Sequence, residues 1–443
     1  MARRRRTDET LGGKQRKTLG PDFWLYFTGQ LISQVGTSFT FFALPLLVFE
    51  LTHSATNLAI TTATEFVPYL LFGLILGALV DRINRKRMML LTDVGRAVVI
   101  VVLPVLALIG VLHVYDIYIV AFIVSTLGIL FQCGEFAAIP SLVGRDDLVA
   151  ANARIMATNN AGQILGPILA GVLVSVMSPA NLLFFDAGSF LVSAGSLALI
   201  QRSFNADIPN PRASTSGIRG LLGDVKEGLK YVWSNPVLRT ISIMMALINL
   251  VCAPQSSQLV LFAKDTLGAT NSEVAYLFAA GAFGIVVVSL CAAAIRKRLS
   301  FAVTALGALV VSGLTCFAMA LIGSYIPALV LWAASSGFGL LLNINTSSLR
   351  QAIVPSHMYG RVISIATVLA WSAIPLGALA GAALIKLTGS VADVYAASGA
   401  LSALIAAMFF FSPIRHGDRF LQAAGGAGDP GKQEVDLMFE AER

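Results

Sequence analysis

Apolar residues along this chain gather in stretches of about twenty positions or more, separated by short polar segments. Crossing about 30 Å of hydrocarbon takes about 20 helical residues, and a helix satisfies its own backbone polar groups. That ruler predicts twelve membrane-crossing helices, near residues 23–50, 57–80, 88–112, 116–139, 152–177, 181–200, 240–263, 273–295, 301–322, 326–349, 360–385 and 391–411. The expected architecture is an all-α membrane protein with a basic leader (1–22), a six-helix bundle (23–200), a linker (201–239), a second six-helix bundle (240–411) and a disordered tail (412–443). In the linker, Leu221, Leu222, Val225, Leu229 and Val232 alternate with Asp224, Lys226, Glu227 and Lys230. This spacing predicts an amphipathic helix lying on the inner membrane surface.

Composition agrees with the pattern. Of 443 residues, 56% are hydrophobic and 12% charged, with a mean hydropathy of +0.78, far from the soluble range. Arg3 to Arg6 could begin a secretory signal, but mostly polar residues intervene before Phe23 and the apolar run then continues to about Glu50, so a retained first span is expected. Placing both termini in the cytoplasm puts 29 lysines and arginines on the inner side and leaves only Lys264 and Lys386 near the outer face. A multi-pass protein of the plasma membrane is expected.

The net charge of +7 does not suggest a nucleic-acid partner, because no soluble domain gathers the basic residues. Cys133, Cys252, Cys291 and Cys316 lie in or beside apolar segments without C-x-x-C pairing. No Walker-type loop and no catalytic cluster occurs, so no enzyme activity, cofactor or metal is expected.

The chain also repeats itself. Leu47-Val48-Phe49 with Ala55-Thr56-Asn57 recurs as Val260-Leu261-Phe262 with Ala269-Thr270-Asn271, Arg85-Lys86-Arg87 as Arg296-Lys297-Arg298, and Ala170-Gly171 as Ala380-Gly381. Three matches in one order predict two pseudo-symmetric halves with a site between them near mid-membrane.

The run from Gly77 through Asp81, Arg82, Arg85 and Lys86 to Arg87 resembles the signature between spans two and three of the major facilitator superfamily, with Asn84 where the family usually has glycine. Gly162, Gly166, Pro167 and Gly171 resemble the antiporter signature of the same superfamily, whose members with this motif are mostly exporters. Glycines four apart allow close helix contact, and proline removes an amide and bends the helix. The segments Glu227 to Arg239, Ala151 to Arg154 and Asp186 to Phe190 are similar to the branch holding macrolide-efflux and enterobactin-exporter proteins. The resemblance runs from about 20 to 412 and is carried by scaffold segments, not by a pocket. It implies a proton-coupled exporter of drug-like or antibiotic-like molecules, working as a monomer. A siderophore or lysophospholipid exporter shares the scaffold, and a transport-inactive membrane sensor is the alternative of another class.

A charged carboxylate in hydrocarbon costs several kcal/mol if unpaired, so each membrane acid is a functional candidate. Glu65, among Thr61, Thr62 and Thr64, is the first candidate for exchanging protons. Glu135, within reach of Arg154 or Arg96, is a candidate gate. Asp93 and Arg96, three apart, suit a local ion pair, and Asp186 suits a structural role. Gln34, Asn159, Asn160, Gln163, Asn249, Gln255, Gln258, Asn343 and Asn345, with Phe39, Phe42 and Trp371, are candidates to line a cavity for an amphipathic substrate.

Overall fold

The computed structural model describes residues 20–80, 83–143, 147–204, 218–354 and 358–419. Asp81, Arg82, most of the leader and most of the tail therefore lie outside the described residues, as does the first part of the linker. The first six spans are α1 (Pro21–Thr52), α2 (Ala55–Val80), α3 (Arg85–Leu108), α4 (Val114–Val143), α5 (Leu148–Leu173) and α6 (Pro179–Leu199). The linker helix is α7 (Ile218–Ser234). The seventh span is α8 (Pro236–Ser257), continued by the short α9 (Leu259–Leu261) and a π-helical turn, Phe262–Thr266. Then follow α10 (Asn271–Arg298), α11 (Phe301–Ala320), α12 (Tyr325–Ile353), the paired α13 (Tyr359–Trp371) and α14 (Ala373–Thr388), and α15 (Val391–Phe410). Ten of these stretches are long and apolar enough to cross a membrane; α2 and α5, 26 residues each, pack among them and complete twelve. Several run past the apolar ruler, as α4 does to Val143 and α12 to Ile353. Helix hydrogen bonding continues where hydrophobicity has stopped.

The two halves repeat one packing plan. In the first, α1 packs on α5 and α6, α3 on α4 and α6, and α2 on α4. In the second, α8 packs on α14 and α15, α11 on α12 and α15, and α10 on α12. The halves meet where α2 packs on α14 and α5 on α10, two contacts that the same pseudo-twofold exchanges. Small residues permit these approaches. A Cβ at Gly284 would fall on the Ala333 carbonyl, and one at Gly337 on the Gly284 carbonyl, which brings α10 and α12 backbone to backbone.

The sequence repeat is inexact in one place. Arg85 to Arg87 open α3, whereas Arg296 to Arg298 close α10. Both triplets flank the same kind of short loop, where cations at either end remain in water. Asn84 caps α3 by accepting from the Arg87 amide at 3.0 Å, and Ser300 caps α11 through the Val303 amide at 3.4 Å.

Two spans of the second half are interrupted. Pro375 has no amide to offer Trp371, and the eleventh span divides there at Ser372. Pro254 likewise leaves the Leu250 carbonyl without its helical partner, and Gly377 lies against that carbonyl. The linker helix α7 is not simply laid on a membrane surface. Val232 is fully buried with Leu238, Val354, Met358 and Val362, so one face docks on α13, while Leu229 and Trp233 stay exposed.

Buried apolar side chains show how the halves meet. At the end distant from the described chain ends, one cluster takes in Phe42, Leu58 and Ala170 from the first half and Leu261, Val274 and Leu277 from the second. At the opposite end each half has a separate core, around Phe23, Met89 and Leu197 in the first and around Ile241, Phe301 and Leu349 in the second. Among the described residues, the buried apolar core is shared by the halves at the far end and separate in each half at the near end.

Candidate functional site

Glu65 sits midway along α2 and is half-buried. Its backbone carbonyl accepts from Ser125 Oγ on α4 at 2.5 Å, while no described residue holds its carboxylate by a hydrogen bond or ion pair. The next residue, Phe66, and Tyr69 one turn further on meet Trp371 of the second half edge-on, with ring centroids 6.0 and 4.8 Å away. Trp371 is the last residue of α13, next to the break at Ser372. The unpartnered acid therefore lies beside an aromatic contact between the halves, where one of the second half's spans is jointed.

The acids Asp93, Glu135 and Asp186 within the first-half spans are held by partners. Asp93 is fully buried; it is paired with Arg96 and accepts from Ser193 Oγ on α6 at 2.6 Å, and that hydroxyl in turn accepts from Gln30 on α1 at 2.9 Å. The Arg96 guanidinium lies over Phe131 of α4 at 4.6 Å and Phe190 of α6 at 4.3 Å. Asp186 accepts from Thr40 on α1 and from its own neighbour Ser189. Glu135 accepts from Tyr26 on α1 at 2.6 Å. Arg154 donates to the Ala150 carbonyl and covers the Trp24 ring, and Arg96 is paired with Asp93, so neither arginine forms an ion pair with Glu135. Each of these carboxylates has at least one hydrogen-bond donor, which offsets part of the cost of holding it in a low-dielectric bundle.

The signature cations close helix ends. Lys86 donates to the carbonyls of Ala198 at 3.1 Å and Ile200 at 2.6 Å, and Arg85 to that of Phe204 at 3.3 Å. They tie the start of α3 to the end of α6, where a cation is favoured by the exposed carbonyls. Gly77 lies in the last turn of α2. In the antiporter-like motif, Gly162 and Gly166 seat α5 on Gln34 and Ser38 of α1, and Ser38 Oγ donates to the Gly162 carbonyl at 2.8 Å. Gly171 instead faces Ala275 and Tyr276 of α10, across the boundary between halves. Pro167 is buried within α5.

The expected cavity lining is only partly assembled. Phe39 is buried against Phe185 of α6, within the first bundle. Asn345 is buried and donates to Leu341 on its own helix at 2.7 Å; Asn343 is exposed and donates to Gly339 at 3.3 Å. Asn249 joins α8 to the Ala370 carbonyl at 2.9 Å. Gln255 is buried, Gln163 is exposed, and Gln34 is half-buried under Gly162. The side chains of Asn159 and Asn160 lie outside the described residues. An amide's face on its helix follows from tertiary packing, which explains the scatter.

Two polar contacts between the halves stand out, one made by the cavity candidate Gln258 and one by Asn271, which had no candidate role in the sequence. Gln258 is fully buried and donates to the Ala55 carbonyl of the other half at 3.0 Å. Asn271 donates to Glu50 Oε1 at 2.9 Å, again between halves, and accepts from Lys264 at 2.5 Å. These bonds sit at the joined end, beside the Ala59, Ala378 and Ala382 contact. The repeated Ala-Thr-Asn at Ala55 and Ala269 was the sequence signal for the Asn271 bond. Among the described residues, no three His, Cys, Asp or Glu side chains gather as a metal site.

Comparison with known proteins agrees with this geometry. The chain is 28% identical over 383 residues to the multidrug efflux pump Tap of Mycolicibacterium fortuitum, covering 84% of this chain and 90% of that protein. It is 24% identical over 347 residues to the enterobactin exporter EntS of Escherichia coli O6:K15:H31, covering 77% and 80%. Among solved structures, a bacterial homologue of the human lysosomal transporter Spinster, inward-facing and unoccupied, superposes with a TM-score of 0.70 at 15% identity over 90% of this chain and 97% of that one. Residues 26–372 match the family described as Major Facilitator Superfamily, and with twelve helices in two pseudo-symmetric bundles this chain belongs to that family of membrane transporters.

Proposed function

We propose that this protein is a proton-coupled exporter of amphipathic, drug-like molecules, working by alternating access in the plasma membrane as a monomer with both termini in the cytoplasm. The carrying observation is Glu65, a half-buried membrane carboxylate without a described partner, set beside the Phe66–Tyr69–Trp371 contact between halves. With the termini inside, the divided near end is the cytoplasmic opening and the joined far end is the closed outer gate. A deprotonated Glu65 demands water and favours the state that supplies it; a protonated Glu65 tolerates closure, so proton binding shifts the balance of the two states. The similarity to a multidrug efflux pump supports drug-like substrates, and aromatic walls near one acid suit amphipathic cations.

The test is purified protein in liposomes under an imposed pH gradient, loaded with a fluorescent amphipathic cation. Glu65→Gln is expected to bring gradient-driven movement to background while membrane insertion and melting behaviour stay close to those of the wild type. Undiminished movement in that variant removes Glu65 from the mechanism. A second reading, siderophore export, draws on the similarity to an enterobactin exporter. It is separated by running the same liposomes with a catecholate siderophore in place of the cation.

A further inference from the structure

A recess of about 420 Å³ opens at the near end of the first bundle, apart from the path between the halves. Its walls include Lys86, Arg87 and Leu90 of α3, together with Arg202 and Phe204 just beyond α6. Three cations line it. Lys86 spends two of its three donors on the Ala198 and Ile200 carbonyls, which fixes the ammonium in place. Arg202 is anchored through the Leu142 carbonyl at 2.7 Å and lies 4.0 Å from Asp22, the acid that faces it. The Arg87 side chain is exposed and makes no hydrogen bond or ion pair with a described residue. An anion of phosphate size finds an excess of positive charge here.

The surface beside the recess is apolar. On α3, Arg87 stands at the foot of a single helical face that continues through Leu91, Val98, Val102 and Val105, all exposed. On α6, which packs against α3, the exposed large apolar residues are Phe184, Phe185, Leu191, Val192 and Leu199. Two exposed apolar stripes thus descend side by side to one cationic recess. A soluble phosphate would use the cations and leave the stripes idle; a phospholipid would use both, with its head in the recess and its chains along the stripes.

We propose that this recess binds the headgroup of an anionic phospholipid. Lys86, Arg87 and Arg202 neutralise the phosphate, and the α3 and α6 stripes hold the acyl chains. The bound lipid braces the start of α3 against the end of α6, the joint made by the signature cations.

The test uses the full-length protein in nanodiscs of phosphatidylcholine alone or with one quarter phosphatidylglycerol, and reads the thermal unfolding midpoint. Phosphatidylglycerol is expected to raise the wild-type midpoint by about 2 °C or more over phosphatidylcholine. Arg87→Gln/Arg202→Gln is expected to lose that difference. Arg87→Gln alone, which breaks no described hydrogen bond of its side chain, is expected to lose about half of it. Lys297→Gln/Arg298→Gln, at the same level of the second bundle, is expected to keep it. Equal midpoints for wild type in the two lipids, an unchanged difference in the Arg87 variants, or an equal loss in the second-bundle variant would each overturn the proposal. Glycerol phosphate added to phosphatidylcholine discs is expected to have no effect. A shift from it as large as that from phosphatidylglycerol would mark a soluble-anion site and overturn the lipid assignment.

Discussion

Buried charge in this protein is controlled residue by residue. Asp93 satisfies both carboxylate oxygens, one through Arg96 and one through Ser193, and Arg96 fills the gap between two aromatic rings. Removing one partner leaves the other buried and uncompensated, at a cost of about 3–5 kcal/mol. Asp93→Asn is therefore expected to lower the melting midpoint in detergent markedly, and Asp93→Asn/Arg96→Met to recover part of the loss; a double variant as unstable as the single would refute this account. Glu135 is held by one neutral donor, so Tyr26→Phe is expected to cost about 1–3 kcal/mol by the same melting measurement. The sequence suggested that Glu65 and Asp93 would differ, because only Asp93 has a cation three residues away. It gave no sign of Ser193 or Tyr26, since a hydroxyl a hundred residues distant carries no local pattern.

At the scale of elements, prolines and glycines decide where rigid helices can bend. Pro375 divides the eleventh span beside Trp371, the residue that touches the first half. Pro375→Ala restores a donor for the Trp371 carbonyl and is expected to stabilise the span while slowing transport, a split read by measuring melting and liposome efflux on the same preparation. Faster transport at higher stability would show that the joint is not used. The linker helix α7 illustrates what periodicity can and cannot say. Its amphipathic face was legible from Leu229 and Val232, but the docking of Val232 on α13 depends on where that helix begins in space. Val232→Asp buries a charge there and is expected to speed amide exchange through α7 with little change in the first bundle.

For the whole molecule, two halves of similar plan share a buried apolar core at one end, among the described residues. Gln258 to Ala55 and Asn271 to Glu50 are hydrogen bonds between halves, laid over a shared apolar cluster. Gln258→Ala/Asn271→Ala removes both and is expected to shift the population toward opening of that end. In a chain whose four cysteines are replaced by serine, an Ala59→Cys probe, buried between α2 and α14, is expected to react faster with an impermeant maleimide when those two bonds are absent. An unchanged rate would mean that apolar packing alone closes the end.

The sequence by itself determined that the chain is helical, crosses a bilayer many times and repeats its plan, because hydrocarbon demands long apolar helices and each demand is met within one local stretch. It also marked the two signature segments by their glycines, proline and cations, although not the distant helices on which they act. Only the tertiary structure decided which polar side chains meet. Helix rotation and the fit of one half on the other place Glu65 beside the Tyr69–Trp371 contact and bury Phe39 instead. Those rotations are set by packing among residues far apart in the chain, and no short-range pattern records them.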